Sequence, residues 1–442
     1  MSDLLAARSL MALSLAFHIV FAAAGIAMPL LMVVAEGRWL RTGDPVWLDL
    51  CKRWSKGTAI LFAVGAVSGT VLSFQLGLLW PEFMRQAGPV IGLPFAMEGF
   101  AFFLEAICLG LYLYGWQKLR PRTHQLAGVG VMLGGIASGV FVIAANAWMN
   151  GPRGCRHAGD RFVDVDPIAA MCTPMWLPQA AHMLLATFLA VGFGAAGVHA
   201  LVLLRHPASS LHRRALVLAL QVGGISAVLL PLSGDVLAKF VAELQPVKLA
   251  AMEGLFASEQ PAALRIGGWP DEEAAVTRYA IEIPYLLSFL AYGELDAKVR
   301  GLEEFPRDEW PPVLITHVAF QVMVAIGVLL LAVSVAAAFL AWRRRAPVDQ
   351  RWFLKLLVYC APLGFLGIEA GWVVTEVGRQ PWIVQGVLRT SECVTPVTNL
   401  LVPFCGFTLL YVVLACVVFR LMRRHVFQSA EPALQEPEDG HA

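Results

Sequence analysis

Charge is what this chain has least of. Of its 442 residues only 15 % are Asp, Glu, Lys or Arg, and 33 basic side chains against 32 acidic ones leave a net charge of +1. With no basic excess to neutralise a phosphate backbone, nucleic acid is excluded as a partner. Cysteine is sparse at eight residues, and no Cys-x-x-Cys pair occurs, which removes zinc ribbons and covalent haem attachment. The N-terminus lacks a cleavable leader with a small-residue site, so the first apolar run is expected to stay in the mature chain. No internal repeat is evident.

Apolar surface is what the chain has in excess. Hydrophobic residues make up 58 % and mean hydropathy is +0.67, more than a soluble core of this length needs. Apolar runs long enough to span a bilayer lie at about 9–34, 57–78, 95–115, 125–149, 178–203, 214–236, 313–341, 353–374 and 398–421. Runs this long mean helices, because a backbone in lipid must satisfy its own hydrogen bonds. The fold class is therefore an all-α polytopic membrane protein of about nine transmembrane helices.

Basic residues gather in alternate connections: Arg38 to Lys56, Lys118 to Arg122, Arg205 to Arg214, Arg343 to Arg351 and Arg420 to Arg424. The positive-inside rule puts these in the cytoplasm, the N-terminus outside and the C-terminus inside. Residues 1–427 form one membrane domain that includes a large outer loop, 238–312, acidic near its end at Glu303, Glu304, Asp308 and Glu309. A connection of that length is either functional or disordered. The Pro/Glu-rich tail, 428–442, reads as disordered and cytoplasmic. Cys51, Cys108, Cys360, Cys405 and Cys416 read as small apolar residues. Cys155 and Cys172 share one outer loop and could form a disulfide in an oxidising compartment.

His124, His157, His206, His212, His425 and His441 fall in loops, helix ends or the tail and read as solvated. His18, His182, His199 and His317 fall in or near spans. A membrane histidine is ordinarily a helix–helix hydrogen-bonding group, so depth and partners must make any case for a ligand. His18 lies roughly 14 Å below the outer end of the first span. His182, Met323 and Glu376 also fall in the outer half, on three other spans. His with Met is a low-spin haem pair, although a lone Met in an apolar helix is usually filler.

Glu98 and Glu105 are seven residues apart in EGFAFFLE, on one helix face and about 10.5 Å apart along the axis. They either pair with polar groups in the bundle or relay protons, and the relay is favoured. Lys248 and Glu253 in QPVKLAAMEG look like a solvated amphipathic segment, separated by about 140° around a straight helix. Ser138 and Asn146 read as structural hydrogen-bonding groups. The stretch TEVGRQPW, Thr375 to Trp382, sets a carboxylate and a guanidinium at a membrane edge, where ionisable groups are costly and mark function.

Taken in order, five segments resemble subunit I of the cytochrome bd quinol oxidases. They are ARSLMALSLAFH with Arg8 and His18, EGFAFFLEA with Gly115 and Trp116, ANAWM around Asn146, KLAAMEG, and GW-x3-E-x-GRQPW from Gly371 to Trp382. The resemblance covers nearly the whole chain. It implies that His182 and Met323 ligate a low-spin haem b558. It gives His18 and Glu376 to two high-spin haems, b595 and either d or a third haem b, without saying which takes which. Trp372 and Arg379 would lie beside these haems, with Arg379 near a propionate, and Arg8 and Asn146 would help hold the cofactors. Lys248 and Glu253 would bind quinol in a periplasmic loop, while Glu98 and Glu105 would carry protons or balance haem charge. One position departs from the pattern. Gln321, in FQVMV, stands where the family often has Arg, and the lost cation is expected to lower the b558 potential. The short loop points towards the cyanide-insensitive branch.

The activity implied is oxidation of membrane quinol at the outer face and reduction of O2 to water, with membrane potential generated but no pump. The implied partners are a subunit II, a small single-helix subunit and membrane lipids, in a bacterial inner membrane. Two other readings stay open: a haem protein that transfers electrons without reducing oxygen, and a haem-free transporter with buried carboxylates.

Overall fold

The computed structural model describes residues 2–427. The tail 428–442, expected to be disordered, lies outside them together with His441 and the side chain of His425. In chain order the helices are α1 Asp3–Thr42, α2 Pro45–Leu79, α3 Pro81–Tyr114, α4 Pro121–Asn150, α5 Pro167–Met171, α6 Trp176–Leu203, α7 Ser210–Leu244, α8 Pro246–Glu253, α9 Leu286–Tyr292, α10 Val313–Trp342, α11 Arg351–Cys360, α12 Leu363–Val377 and α13 Leu401–Met422. Counting α11 and α12 as one broken span, nine segments among the described residues are long and apolar enough to cross a membrane.

Most of the helices overrun the apolar runs that announce them, because caps set their ends. Ser2 accepts from Leu5 N at 3.3 Å to start α1, and Gly43, in the left-handed region at φ 69°, closes it. α2, α3, α4 and α8 begin on proline, where the missing N–H leaves nothing unsatisfied. Pro29, Pro89, Pro94 and Pro231 stand inside α1, α3 and α7. Neighbouring helices make such breaks tolerable in a bundle. The sequential pairs α1–α2, α3–α4 and α6–α7 pack side by side, α10 lies on α7 and α12, and α1 also meets α4, α6 and α13. Many large apolar side chains, Phe74, Phe100, Phe103 and Ile107 among them, point outward, as a lipid-facing or subunit-facing surface requires.

The large loop starts at Gln245 rather than near 238, because α7 continues to Leu244. It is ordered. Two small hairpins flank α5 and follow α12: β1 Arg156–Ala158 with β2 Arg161–Val163, and β7 Trp382–Val384 with β8 Leu388–Arg389. In the large loop, β3 Leu264–Ile266 pairs antiparallel with β6 Ile281–Ile283, and nested between them β4 Trp269–Asp271 pairs with β5 Val276–Arg278.

One open alternative is decided and two expectations are corrected. Cys155 and Cys172 are free thiols: Cys155 turns to Arg153 O at 3.7 Å, while Cys172 is exposed at the end of α5. His124 and His212 are not solvated; only 2 % and 7 % of their surfaces are exposed. Each sits in the first turn of its helix, and that turn already packs inside the bundle. His212 Nδ1 lies 2.8 Å from His199 Nδ1, and Trp54 Nε1 donates to His199 Nε2 at 3.2 Å.

Candidate functional site

Two histidines occupy matching seats. His18 on α1 places Nδ1 3.0 Å from Ser68 Oγ of α2, and Ser68 donates to Val64 O at 2.8 Å. His182 on α6 places Nδ1 2.9 Å from Ser233 Oγ of α7, and Ser233 donates to Leu230 O at 2.8 Å. A hydroxyl has one proton. Having given it to a carbonyl, each serine accepts from Nδ1–H, which leaves Nε2 with its lone pair free. A metal-binding imidazole needs this tautomer, held by a second partner. Glycine follows each serine, and a Cβ would come 2.9 Å from His18 Cε1 at Gly69 and 3.4 Å from His182 Cε1 at Gly234. Both rings are half-buried.

Met323 lies on α10 against α12, where a Cβ on Gly371 would come 3.1 Å from its sulfur. Trp372 packs with Ile19, Ala23, Ala190 and Ile368, so it joins α12 to α1 and α6. Among the described residues, no three His, Cys, Asp or Glu side chains converge on a bare-metal site. Single imidazoles with one free nitrogen suit iron that brings its own equatorial ligands.

Glu376 ends α12 and is held at both oxygens. Asn146 Nδ2 donates to Oε1 at 2.6 Å, and Arg379 Nη2 donates to Oε2 at 2.6 Å. Asn146 Oδ1 accepts from Gln179 at 2.8 Å and Asn150 at 3.0 Å, and Asn150 Oδ1 accepts from Lys248 Nζ at 2.7 Å and Gln245 at 2.9 Å. Lys248 also reaches Thr375 O at 3.3 Å. One polar chain therefore links the loop lysine to the carboxylate of α12. Arg379 is 2 % exposed, yet its Nε and Nη1 have no partner. Two nitrogens of a buried guanidinium left unspent are costly, and a carboxylate such as a haem propionate would satisfy them. The residues present fit a haem.

Lys248 and Glu253 are buried at 5 % and 3 % exposure, which corrects the solvated reading. Burial pushes Lys248 down to about 7, with Arg379 adding and Glu376 opposing. Burial pushes Glu253 up to about 8, against the pull of Arg265, and Glu253 Oε2 has no partner. The two face different partners, as their helical spacing requires. The burial comes from straps that the sequence did not announce. His317 on α10 sets Nδ1 2.8 Å from Met252 O and Nε2 3.0 Å from Gly267 O. Gln321 accepts from Gly267 N at 3.0 Å and donates to Arg265 O at 2.9 Å. The departure at Gln321 thus serves to hold the loop on α10.

Glu98 is half-buried and Glu105 is 5 % exposed on α3, and neither forms a hydrogen bond or ion pair among the described residues. Neither therefore meets the polar partner that the pairing alternative needs. Arg8, half-buried on α1, is likewise without a polar partner among the described residues. Sequence reasoning missed Glu369, seven residues before Glu376 on α12, whose buried Oε1 is unpartnered. It also missed Ser68 and Ser233. Their available signal was a Ser-Gly pair standing 50 and 51 residues after each histidine.

Known proteins resemble this chain from end to end. The family described as cytochrome bd terminal oxidase subunit I matches residues 6–430. A Bacillus subtilis (strain 168) protein named "Putative cytochrome bd menaquinol oxidase subunit I" is 40 % identical over 96 % of this chain and 98 % of its own. The cytochrome bd ubiquinol oxidase subunit 1 of the same organism is 32 % identical over 98 % of this chain and 95 % of its own. The solved bd oxidase of Geobacillus thermodenitrificans superposes with a TM-score of 0.90 at 41 % identity, covering 96 % of this chain and 99 % of that one. Likeness that runs from the first helix to the last, in backbone as well as in sequence, makes this chain a multi-pass membrane protein of the cytochrome bd terminal oxidase subunit I family.

Proposed function

We propose that the subunit oxidises a membrane quinol and delivers the electrons to oxygen, giving water. The observation that carries this reading is the pair of histidine seats with free Nε2 atoms, together with a buried Arg379 that has two unspent nitrogens. His182 with Met323 would hold haem b558. His18 and Glu376 would hold b595 and either haem d or a third haem b, with Trp372 against them and Arg8, Asn146 and Arg379 fixing the periphery. Bound haem supplies one-electron carriage and an iron centre for oxygen.

Quinol would bind in the loop 245–312, on the periplasmic side of a bacterial inner membrane. Glu253 accepts a quinol proton once ionised, and Lys248 stabilises charge on the quinol oxygen. Glu105 and Glu98 carry protons inward from the basic, cytoplasmic side. Electrons entering from one face and protons from the other separate charge without a pump. A subunit II and a small single-helix subunit would cover part of the outward apolar surface.

Reduced-minus-oxidised spectra of the purified complex, with oxygen uptake on added quinol, test the reading. The expected result is b-type bands, a far-red band where haem d is present, and quinol-driven uptake. No haem signal sinks the proposal. Haem without oxygen uptake leaves an electron-transfer protein instead.

A further inference from the structure

Glu36 on α1 is wholly buried and takes no part in the chemistry above. Its Oε1 lies 2.8 Å from His124 Nδ1 on α4, and His124 Nε2 lies 2.8 Å from Tyr112 O on α3. Glu36 Oε2 has no hydrogen-bond partner. The Tyr112 hydroxyl, 2.8 Å from Cys51 Sγ of α2, also faces Glu36. Trp116 packs on the imidazole at a 40° tilt, 4.0 Å between centroids, and Lys52 Nζ lies 5.5 Å over Trp116. Gln125 is spent on Val33 O at 3.3 Å.

The hydrogen bonds count the protons. A carbonyl only accepts, so His124 Nε2 carries a hydrogen. The Nδ1–Oε1 contact then needs one proton: imidazolium against carboxylate, or imidazole against carboxylic acid. With none, a lone pair faces a carboxylate, and with two, donors face each other. The contact therefore holds one proton.

Its position suits uptake. His124 is the first buried residue of α4, directly after exposed Arg122 and Thr123 at the basic end of the bundle. From there Tyr112, Glu105 and Glu98 follow at seven-residue steps along one face of α3, about 10.5 Å each. Glycines of the opposing helices let them close on this face. A Cβ on Gly128 would come 2.8 Å from the Tyr112 ring, on Gly134 2.9 Å from Glu105 Cβ, on Gly135 3.3 Å from the Glu105 carboxyl, and on Gly25 3.8 Å from Glu105 Oε1.

We propose that Glu36 and His124 form the station that loads protons from the basic face into the path through Glu105 and Glu98. The proposal rests on the oxidase reading and its orientation. Glu36 passes its proton along the face of α3 towards Glu105. The proton-poor contact left behind is refilled from solvent beside Thr123. A purely structural tie between α1 and α4 would use the same Nδ1–Oε1 contact, and the heavy-water and anaerobic readouts below separate the two.

The assembled complex provides the test. Glu36→Gln keeps a hydrogen bond to Nδ1 but removes the shared proton, whereas Glu36→Asp keeps the acid. In Glu36→Gln, quinol-driven oxygen uptake falls on the order of tenfold or more. Haem content and the anaerobic rate of haem reduction by quinol stay unchanged, heavy water slows uptake further, and Glu36→Asp recovers part of the rate. Uptake within about twofold of the wild type overturns the proposal. So does a loss matched by haem content or by anaerobic reduction, which marks a structural tie. Should Glu36→Gln fail to assemble, His124→Asn carries the same expectations and the same two ways to fail. Failure of the oxidase reading looks different, because the wild-type complex itself then shows no quinol-driven oxygen uptake.

Discussion

The seats of His18 and His182 are built alike and surrounded differently. In each, a serine of the next helix spends its proton on a carbonyl, fixes Nδ1–H and frees Nε2, and the glycine after it clears the ring. The helix behind His182, α7, packs on α10, which carries Met323. The helix behind His18, α2, packs on α13, which carries Tyr411. There Ser14, Gln75 and Tyr411 face one another, buried and with hydrogen-bonding capacity unspent, and Tyr411 stacks on Phe17 at 4.5 Å. One imidazole thus has a thioether on a helix packed against its serine's helix, and the other has a cluster of polar side chains on its own and neighbouring helices. The same local device is thus set in two different surroundings.

The largest expected effect breaks the seats one at a time. His182→Ala removes the low-spin b558 bands and largely spares the high-spin haems, and His18→Ala does the reverse. Difference spectra decide, and loss of every haem in both variants would show that the seats are not independent. A control outside both seats comes next. Glu253→Gln slows quinol oxidation by about 100-fold, as loss of a general base does, while the prereduced enzyme still reacts with oxygen. Because burial holds Glu253 up at about 8, the wild-type quinol rate climbs as pH rises through that value, and the variant loses the climb. A variant that keeps the climb would place the base elsewhere.

Smaller effects sharpen the comparison. Ser68→Ala and Ser233→Ala each release one ring and weaken retention of its haem by about tenfold, within the usual range for a ligand's outer partner. Haem retention under mild detergent washing measures this. The smallest effect separates the two glycines. Gly69→Ala forces the His18 ring to shift, since the new methyl would sit 2.9 Å from Cε1, whereas Gly234→Ala at 3.4 Å leaves b558 nearly unchanged. Equal outcomes would mean that the rings have slack in both seats.

Much of this was legible in the sequence, for identifiable reasons. Apolar runs announced the spans because lipid tolerates few other patterns. The carboxylates of α3 announced themselves because charge is rare there. Lys248 and Glu253 were misread as solvated, since nothing in KLAAMEG reveals that His317 and Gln321, far along the chain, strap the loop over them. His124 and His212 were misread because short connections resemble exposed ones until the packing of the helix ends is known. Ser68 and Ser233 were passed over because a serine in an apolar helix ordinarily bonds its own backbone. These two do so as well, and it is the remaining lone pair that matters.

The sequence by itself determined the number of spans, the candidate ligands and the family resemblance, because these depend on residue type and order along one chain. Only the tertiary structure decided which nitrogen each histidine presents, that Lys248 joins Glu376 through two asparagines, and that Glu36 meets His124. Each of these is a contact between helices distant in sequence, and a proton's place is set by the groups on both sides of it.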